Sequence, residues 1–223
     1  MMGIAIPAHN EAEYIADCLA AVQRSVQYLA QHGQQALVVV AADACTDATA
    51  AIARQWADHV LEIDAHSVGI ARQSAAQWLL EQGAQWIACT DADTLVPEDW
   101  LYGQNVCKAD VFCGIVRVQD WGDYAPEIIA AFHATTPQVG HPHIHGANMG
   151  LSRRAYELVG GFLNERAHED VSLIRRCEQA GLNIARLIDP CVVTSARRNA
   201  RAREGFGDFL LQLEQQVMQV ARG

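Results

Sequence analysis

Trp86-Ile87-Ala88-Cys89-Thr90-Asp91-Ala92-Asp93-Thr94 is an apolar run that stops abruptly at two carboxylates spaced i, i+2. Side chains alternate along an extended chain, so Asp91 and Asp93 project to one side just as a strand leaves the core. Two acids so placed repel each other unless a cation sits between them. Hard divalent ions such as Mg²⁺ and Mn²⁺ favour carboxylate oxygens, and one or two of these suffice when substrate phosphates complete the shell. The competing reading is a solvated turn, because Asp is common where strands end.

Outward from this stretch, short apolar runs at residues 3–6, 36–41, 60–63 and 86–89 alternate with helical patterns at 11–31, 48–56 and 69–82. That alternation predicts βαβ units around a mostly parallel, Rossmann-like sheet flanked by helices. In the first helix Asn10 is the expected N-cap, with Glu13 three residues on and Leu19, Val22, Val26 and Leu29 forming one stripe; Gly33 ends it. Pro97 suits the start of a helix over 98–107, and 111–118 reads as one strand. Between 119 and 146, Trp121, Pro126, Pro137, Gly140 and Pro142 dissolve the pattern, which predicts an excursion over the active face. Helical spacing returns at 153–159 and 171–180, a strand is expected at 183–188, and an amphipathic helix at 206–220. With no repeat or linker, the 223 residues read as a single α/β domain.

The 51% hydrophobic content supports one substantial core. A net charge of -10 argues against nucleic acid as the main partner, since phosphate binding relies on Lys and Arg. Seven cysteines without a C-x-x-C pair fall mostly in apolar runs and read as buried thiols of a reducing compartment. No run approaches the ~20 apolar residues of a membrane span, and no signal-like leader opens the chain, so a cytoplasmic protein is expected.

In parallel α/β sheets ligands bind beyond the carboxyl ends of the strands. Three such ends stand out: Pro7-Ala8-His9-Asn10-Glu11, Asp43-Ala44-Cys45-Thr46-Asp47 and Asp91-Ala92-Asp93. Capping alone would explain Asp47, whereas Asp43 sits at the strand exit itself. Together with Gly69-Ile70-Ala71-Arg72, Gly146-Ala147-Asn148-Met149-Gly150, Gly160-Gly161-Phe162 and Glu169-Asp170, these segments occur in an order that resembles glycosyltransferase family 2, over residues 3–188.

The resemblance implies a GT-A fold, with residues 1–95 as a nucleotide-binding half and 96–223 as an acceptor half ending in a helix. It implies an inverting transfer from a nucleotide-sugar, foremost a UDP-sugar, to an unidentified acceptor hydroxyl, assisted by Mn²⁺ or Mg²⁺. Pro7, Asn10 and Glu11 match the loop beside the nucleotide, and Asp43 matches an acid that contacts base or ribose. Arg72 matches a residue near the donor phosphates. Asp91 and Asp93 match the Asp-x-Asp motif that holds ribose and metal, and Asp170 matches the catalytic base, with Glu169 as an acceptor contact. The chain departs from the pattern where Ala42 replaces the first of the paired acids and Ala44-Cys45 replaces Gly-Ser. A Gln-x-x-Arg-Trp motif, associated with processive members, is absent, which favours single transfer.

From the residues alone, Glu169-Asp170 could equally be acids that suit a helix N-terminus. His141-Pro142-His143-Ile144-His145 invites a zinc-hydrolase reading, against which a His-rich surface loop or an acceptor-side His145 is set. Arg197, Arg198, Arg201 and Arg203 cluster in an acidic chain, either as a solvated loop or as a lid over the donor diphosphate. The rivals to a transferase are a non-catalytic nucleotide-sugar binder on the same scaffold and a nucleotidyltransferase, whose Gly-rich phosphate loop is missing.

Overall fold

The computed structural model describes residues 1–134, 137–165, 167–198 and 205–220. Its first half runs β1 (Met2–Ala8), α1 (Ile15–Gln31), β2 (Ala36–Asp43), α2 (Thr49–Ala53), β3 (His59–Ile63), α3 (Val68–Glu81), β4 (Trp86–Cys89), β5 (Thr94–Leu95) and α4 (Trp100–Val106). The second half continues β6 (Val111–Cys113), β7 (Val116–Val118), α5 (Pro126–His133), a 3-10 turn (Gly146–Asn148), β8 (Met149–Ser152), α6 (Arg153–Leu158), α7 (Glu169–Gln179), β9 (Ile184–Arg186), β10 (Val192–Thr194) and α8 (Phe206–Val220).

A seven-stranded sheet in the order β3-β2-β1-β4-β8-β6-β9 carries the fold. β1, β2, β3 and β4 are mutually parallel, while β8 runs antiparallel to both β4 and β6. The central strands are apolar on both faces because helices cover both. Ile4, Ile6, Val38 and Val40 face α1 and α4, whereas Ala5, Val39, Ala41 and Ile87 face α3 and α7. The expected mostly parallel α/β architecture is therefore present. No helix among the described residues is long and apolar enough to cross a membrane.

Two expectations need correction. Residues 111–118 are not one strand: the chain leaves the main sheet at Gly114, and β7 joins a three-stranded sheet, β5-β10-β7. Gly114 N donates to Asn148 O at 2.9 Å, and a Cβ on Gly114 would lie 2.2 Å from the Asn148 side-chain nitrogen, so only glycine fits this exit. The stretch after 119 also contains α5. Its Pro126 opens the helix rather than breaking it, and Ile128, Ile129 and Phe132 pack with Leu210 and Leu213 of α8.

Candidate active site

The loops following β1, β2 and β4 meet at one end of the sheet, bound to one another by side chains. Asn10, in a left-handed conformation (φ 53°), accepts through Oδ1 from Thr46 N at 2.8 Å and Asp47 N at 3.3 Å. It does not cap α1, which begins five residues on at Ile15; the loop after β2 has captured its side chain instead. Asp47 is not the N-cap of α2, which is Ala48; it lies one residue earlier, where it accepts from Thr49 N (2.9 Å) and from Ala12 N (3.1 Å). Pro7 lies within β1 opposite Ala41.

Asp43 is buried, and its carboxylate accepts from three successive backbone N–H groups: Ala65 (2.7 Å), His66 (3.0 Å) and Ser67 (2.8 Å). The acid at the end of β2 thus fixes the entry to α3. Ser67 then caps that helix by accepting from Ile70 N.

One turn into α3, Arg72 is 2% exposed and spans two acids. Its Nε donates to Glu169 Oε1 at 2.9 Å and its Nη2 to Asp91 Oδ1 at 2.5 Å. Burial opposes its charge, but Asp91 and Glu169 outweigh burial and hold the pKa above its ordinary value. Glu169, buried on the first turn of α7, has its own pKa raised by burial despite Arg72. Arg72 thus ties the acid after β4 to the first turn of α7.

Asp93 follows two residues after Asp91 and is engaged by a different arginine. Burial, followed by the charge of Asp91, pushes its pKa up to about 6 against the pull of Arg197. Arg197 Nη2 sits 3.2 Å from Asp93 Oδ2, and its fork donates two hydrogen bonds of 2.5 Å to Glu11. The guanidinium also lies 5.1 Å from the centroid of the Tyr14 ring. Burial works against Arg197's charge, yet the Glu11 hydrogen bonds and Asp93 raise its pKa. Two carboxylates at one strand end, one of them desolvated and each facing an arginine, offer oxygens of the kind that a hard divalent ion favours. Asp91 and Asp93 therefore fit such an ion.

Asp170 follows Glu169 in the first turn of α7 and is half-buried. Its Oδ2 accepts from Gly146 N and its Oδ1 from Val171 N, both at 2.7 Å. Gly146 approaches so closely that a Cβ would lie 2.4 Å from Arg72 Nη2. The turn that presents it is held by Asn148, fully buried, which accepts from Trp100 Nε1 and donates to the carbonyls of Ile115 and Pro190, each at 2.9 Å. Asn148 and Tyr14 were not singled out from the sequence. The Gly146–Gly150 motif held a clue to the first; nothing local marks the second.

His143 and His145 stack with ring centroids 5.8 Å apart, the His141 ring lies tilted 5.5 Å from that of His143, and the His145 ring lies 6.1 Å from that of Phe206. Stacked rings do not converge their nitrogens on one point, and among the described residues no group of three or more His, Cys, Asp or Glu could hold a metal ion. Burial, then His143 and His141, pushes the His145 pKa down to about 4, so it is neutral at pH 7. Arg198 pairs with Asp123 at 2.8 Å and with Glu214 of α8 at 2.6 Å. Arg201 and Arg203 lie outside the described residues.

The sequence profile of Glycosyl transferase family 2 matches residues 3–159. No curated protein sequence matches the chain. Among solved structures, the mannosyltransferase PcManGT from Pyrobaculum calidifontis, in complex with GDP-Man and Mn²⁺, superposes with a TM-score of 0.65 at 20% identity, over 90% of this chain and 58% of that one. TarS 1-349 of S. aureus with UDP-GlcNAc gives 0.68 at 14% identity over 97% and 65%. Glucosyl-3-phosphoglycerate synthase from Mycobacterium tuberculosis, with phosphoglyceric acid, gives 0.59 at 20% identity over 98% and 77%. The chain thus spans under two thirds of the length of the first two. The matched segment carries the loop at Pro7–Glu11, Arg72 and both acids after β4, on the GT-A fold that these structures share, and the chain belongs to glycosyl transferase family 2.

Proposed function

We propose that the protein transfers a sugar from a nucleotide-sugar donor to an acceptor hydroxyl, once per encounter and with inversion. The observation that carries this reading is the joining of Asp91 to Glu169, the neighbour of Asp170, through the buried Arg72, which supports taking these acids as parts of one site. A UDP-sugar is our first candidate donor; solved relatives hold UDP-GlcNAc and GDP-Man.

Asp93, helped by Asp91, would hold Mn²⁺ or Mg²⁺, which as a Lewis acid neutralises the diphosphate as it leaves. Glu11, Asn10 and Pro7 form the loop beside the nucleotide. Asp43, whose Oδ2 receives one N–H and keeps lone-pair capacity, stands at the base and ribose side. Asp170 is the base: two backbone N–H groups fix its carboxylate, and the remaining lone pairs accept the acceptor's proton. Glu169 acts through Arg72, holding it against Asp91, and neutral His145 lines the acceptor side. Arg197 and Arg198, with Arg201 beyond the described residues, form the lid segment.

The test is nucleotide release from a panel of nucleotide-sugars with Mn²⁺ and candidate hydroxyl acceptors, wild type against Asp93→Ala. Tight nucleotide-sugar binding without transfer or hydrolysis across the panel would favour a non-catalytic binder.

A further inference from the structure

We propose that Arg197 is a resident counter-ion that competes with a divalent ion for the acids, so that cation uptake draws Arg197 away and is linked to loosening of α8. This rests on the reading of Asp91 and Asp93 as the cation site.

The Arg197 guanidinium is no ordinary surface partner. Its fork engages both oxygens of Glu11, and the same Nη2 reaches Asp93 Oδ2 at 3.2 Å. Glu11 and Asp93 side chains are only 6% and 15% exposed, so solvent screens this pairing weakly. A divalent ion on Asp93 would face the positive charge of Arg197 at contact distance from Oδ2, so the two cations compete for the same carboxylate. One residue further on, Arg198 clasps Glu214 of α8 and Asp123, with its guanidinium 4.1 Å from the centroid of the Tyr124 ring. One residue before, Ala196 is buried in the cluster that joins α5 and α8. The backbone at 196–198 is thus strung between the catalytic acids and α8. Withdrawal of Arg197 displaces the segment that anchors that helix.

An ion that binds only the open form has its apparent affinity reduced by the open fraction. A closed fraction of about nine in ten would correspond to ion binding about tenfold stronger once Arg197 is removed. Loosening the α8 end has the same sign and a smaller size.

The experiment measures Mn²⁺ affinity of the full chain without nucleotide, by titration calorimetry or the Mn²⁺ electron-paramagnetic signal. Wild type is compared with Arg197→Met, Arg198→Met and Asp93→Ala, with thermal melts to confirm folding. The expected result is binding about tenfold tighter in Arg197→Met and about threefold tighter in Arg198→Met, which leaves the acids untouched. Backbone hydrogen exchange in α8 should also quicken when Mn²⁺ is added to wild type. Equal affinity in wild type and both arginine variants, with binding still lost in Asp93→Ala, would overturn the latch alone. Wild type that takes up no Mn²⁺ even with UDP present would overturn the cation site and the latch with it.

Discussion

Asp93 should make the ion-free protein lose stability as pH rises, and the size of the loss follows from its burial. Its pKa stands at about 6 against an ordinary 3.8, raised by burial and by Asp91. The folded state therefore holds this proton more tightly than the unfolded chain. The resulting stabilisation is complete below 3.8 and is lost as pH climbs through about 6. At ~1.4 kcal/mol for each tenfold in proton affinity the loss is about 3 kcal/mol. For a chain of this length that corresponds to a melting temperature lower by about 6–12 °C. Asp93→Asn, uncharged throughout, cancels the effects of every other titrating group when its melting curves are subtracted from those of wild type. The two proteins should melt together near pH 4, and the variant should melt higher by that margin at pH 7.5. Saturating Mn²⁺ at pH 7.5 should raise wild type and leave Asp93→Asn unmoved, while ion binding to wild type should fade below about pH 6. Parallel pH profiles for the two proteins would refute the reasoning.

Replacing Arg72 with Met leaves Glu169 buried without its partner, which should cost about 3–5 kcal/mol and be largely recovered by adding Glu169→Gln; melting curves of the single and double variants decide. Asp170→Asn keeps the side-chain size but loses the proton-accepting oxygen, so transfer should fall at least ~10²-fold while Mn²⁺-dependent nucleotide binding survives. Near-wild-type turnover would remove Asp170 from the mechanism. The double variant His143→Ala, His145→Ala should retain that binding, read by calorimetry, because the stacked rings present no convergent metal ligands; loss of a stoichiometric zinc would revive the hydrolase reading.

The parts of this molecule that were legible in sequence are those set by local pattern. β1, β2 and β4 are short apolar runs because helices cover both faces of the central sheet, and such runs announce themselves. Asp91 and Asp93 show because a charged pair directly after a strand is abrupt. Asn10 misled for a physical reason: its side chain suits a helix N-terminus and the αL turn equally well, and only the loop after β2, 36 residues away, settles which. α5 was hidden because Pro126 reads as a breaker when its helix is unknown. The contact of Arg197 with Glu11 spans 186 residues, and no local pattern can carry it.

The charges of the site bear on why a cation should accompany the donor. Glu11, Asp91, Asp93, Glu169 and Asp170 oppose only Arg72 and Arg197 in the contacts described, and both arginines are already shared between acids. Five carboxylates against two guanidinium groups leave three negative charges when all are ionised. A nucleoside diphosphate bound beside these partly buried acids would bring more negative charge to a place where it is weakly screened. Arg72 cannot move to meet it without uncovering Glu169, which is buried at 5% exposure. Arg197 can, but only by uncovering Glu11 and Asp93. Whichever arginine turned to the diphosphate would strand a carboxylate, which on the proposed function is a reason for an added cation to accompany the donor. Glu169, Asp170 and Arg197 all lie beyond residue 159, where the family profile ends. The stretch beyond the profile thus adds two acids and an arginine to the charge balance around the acids after β4.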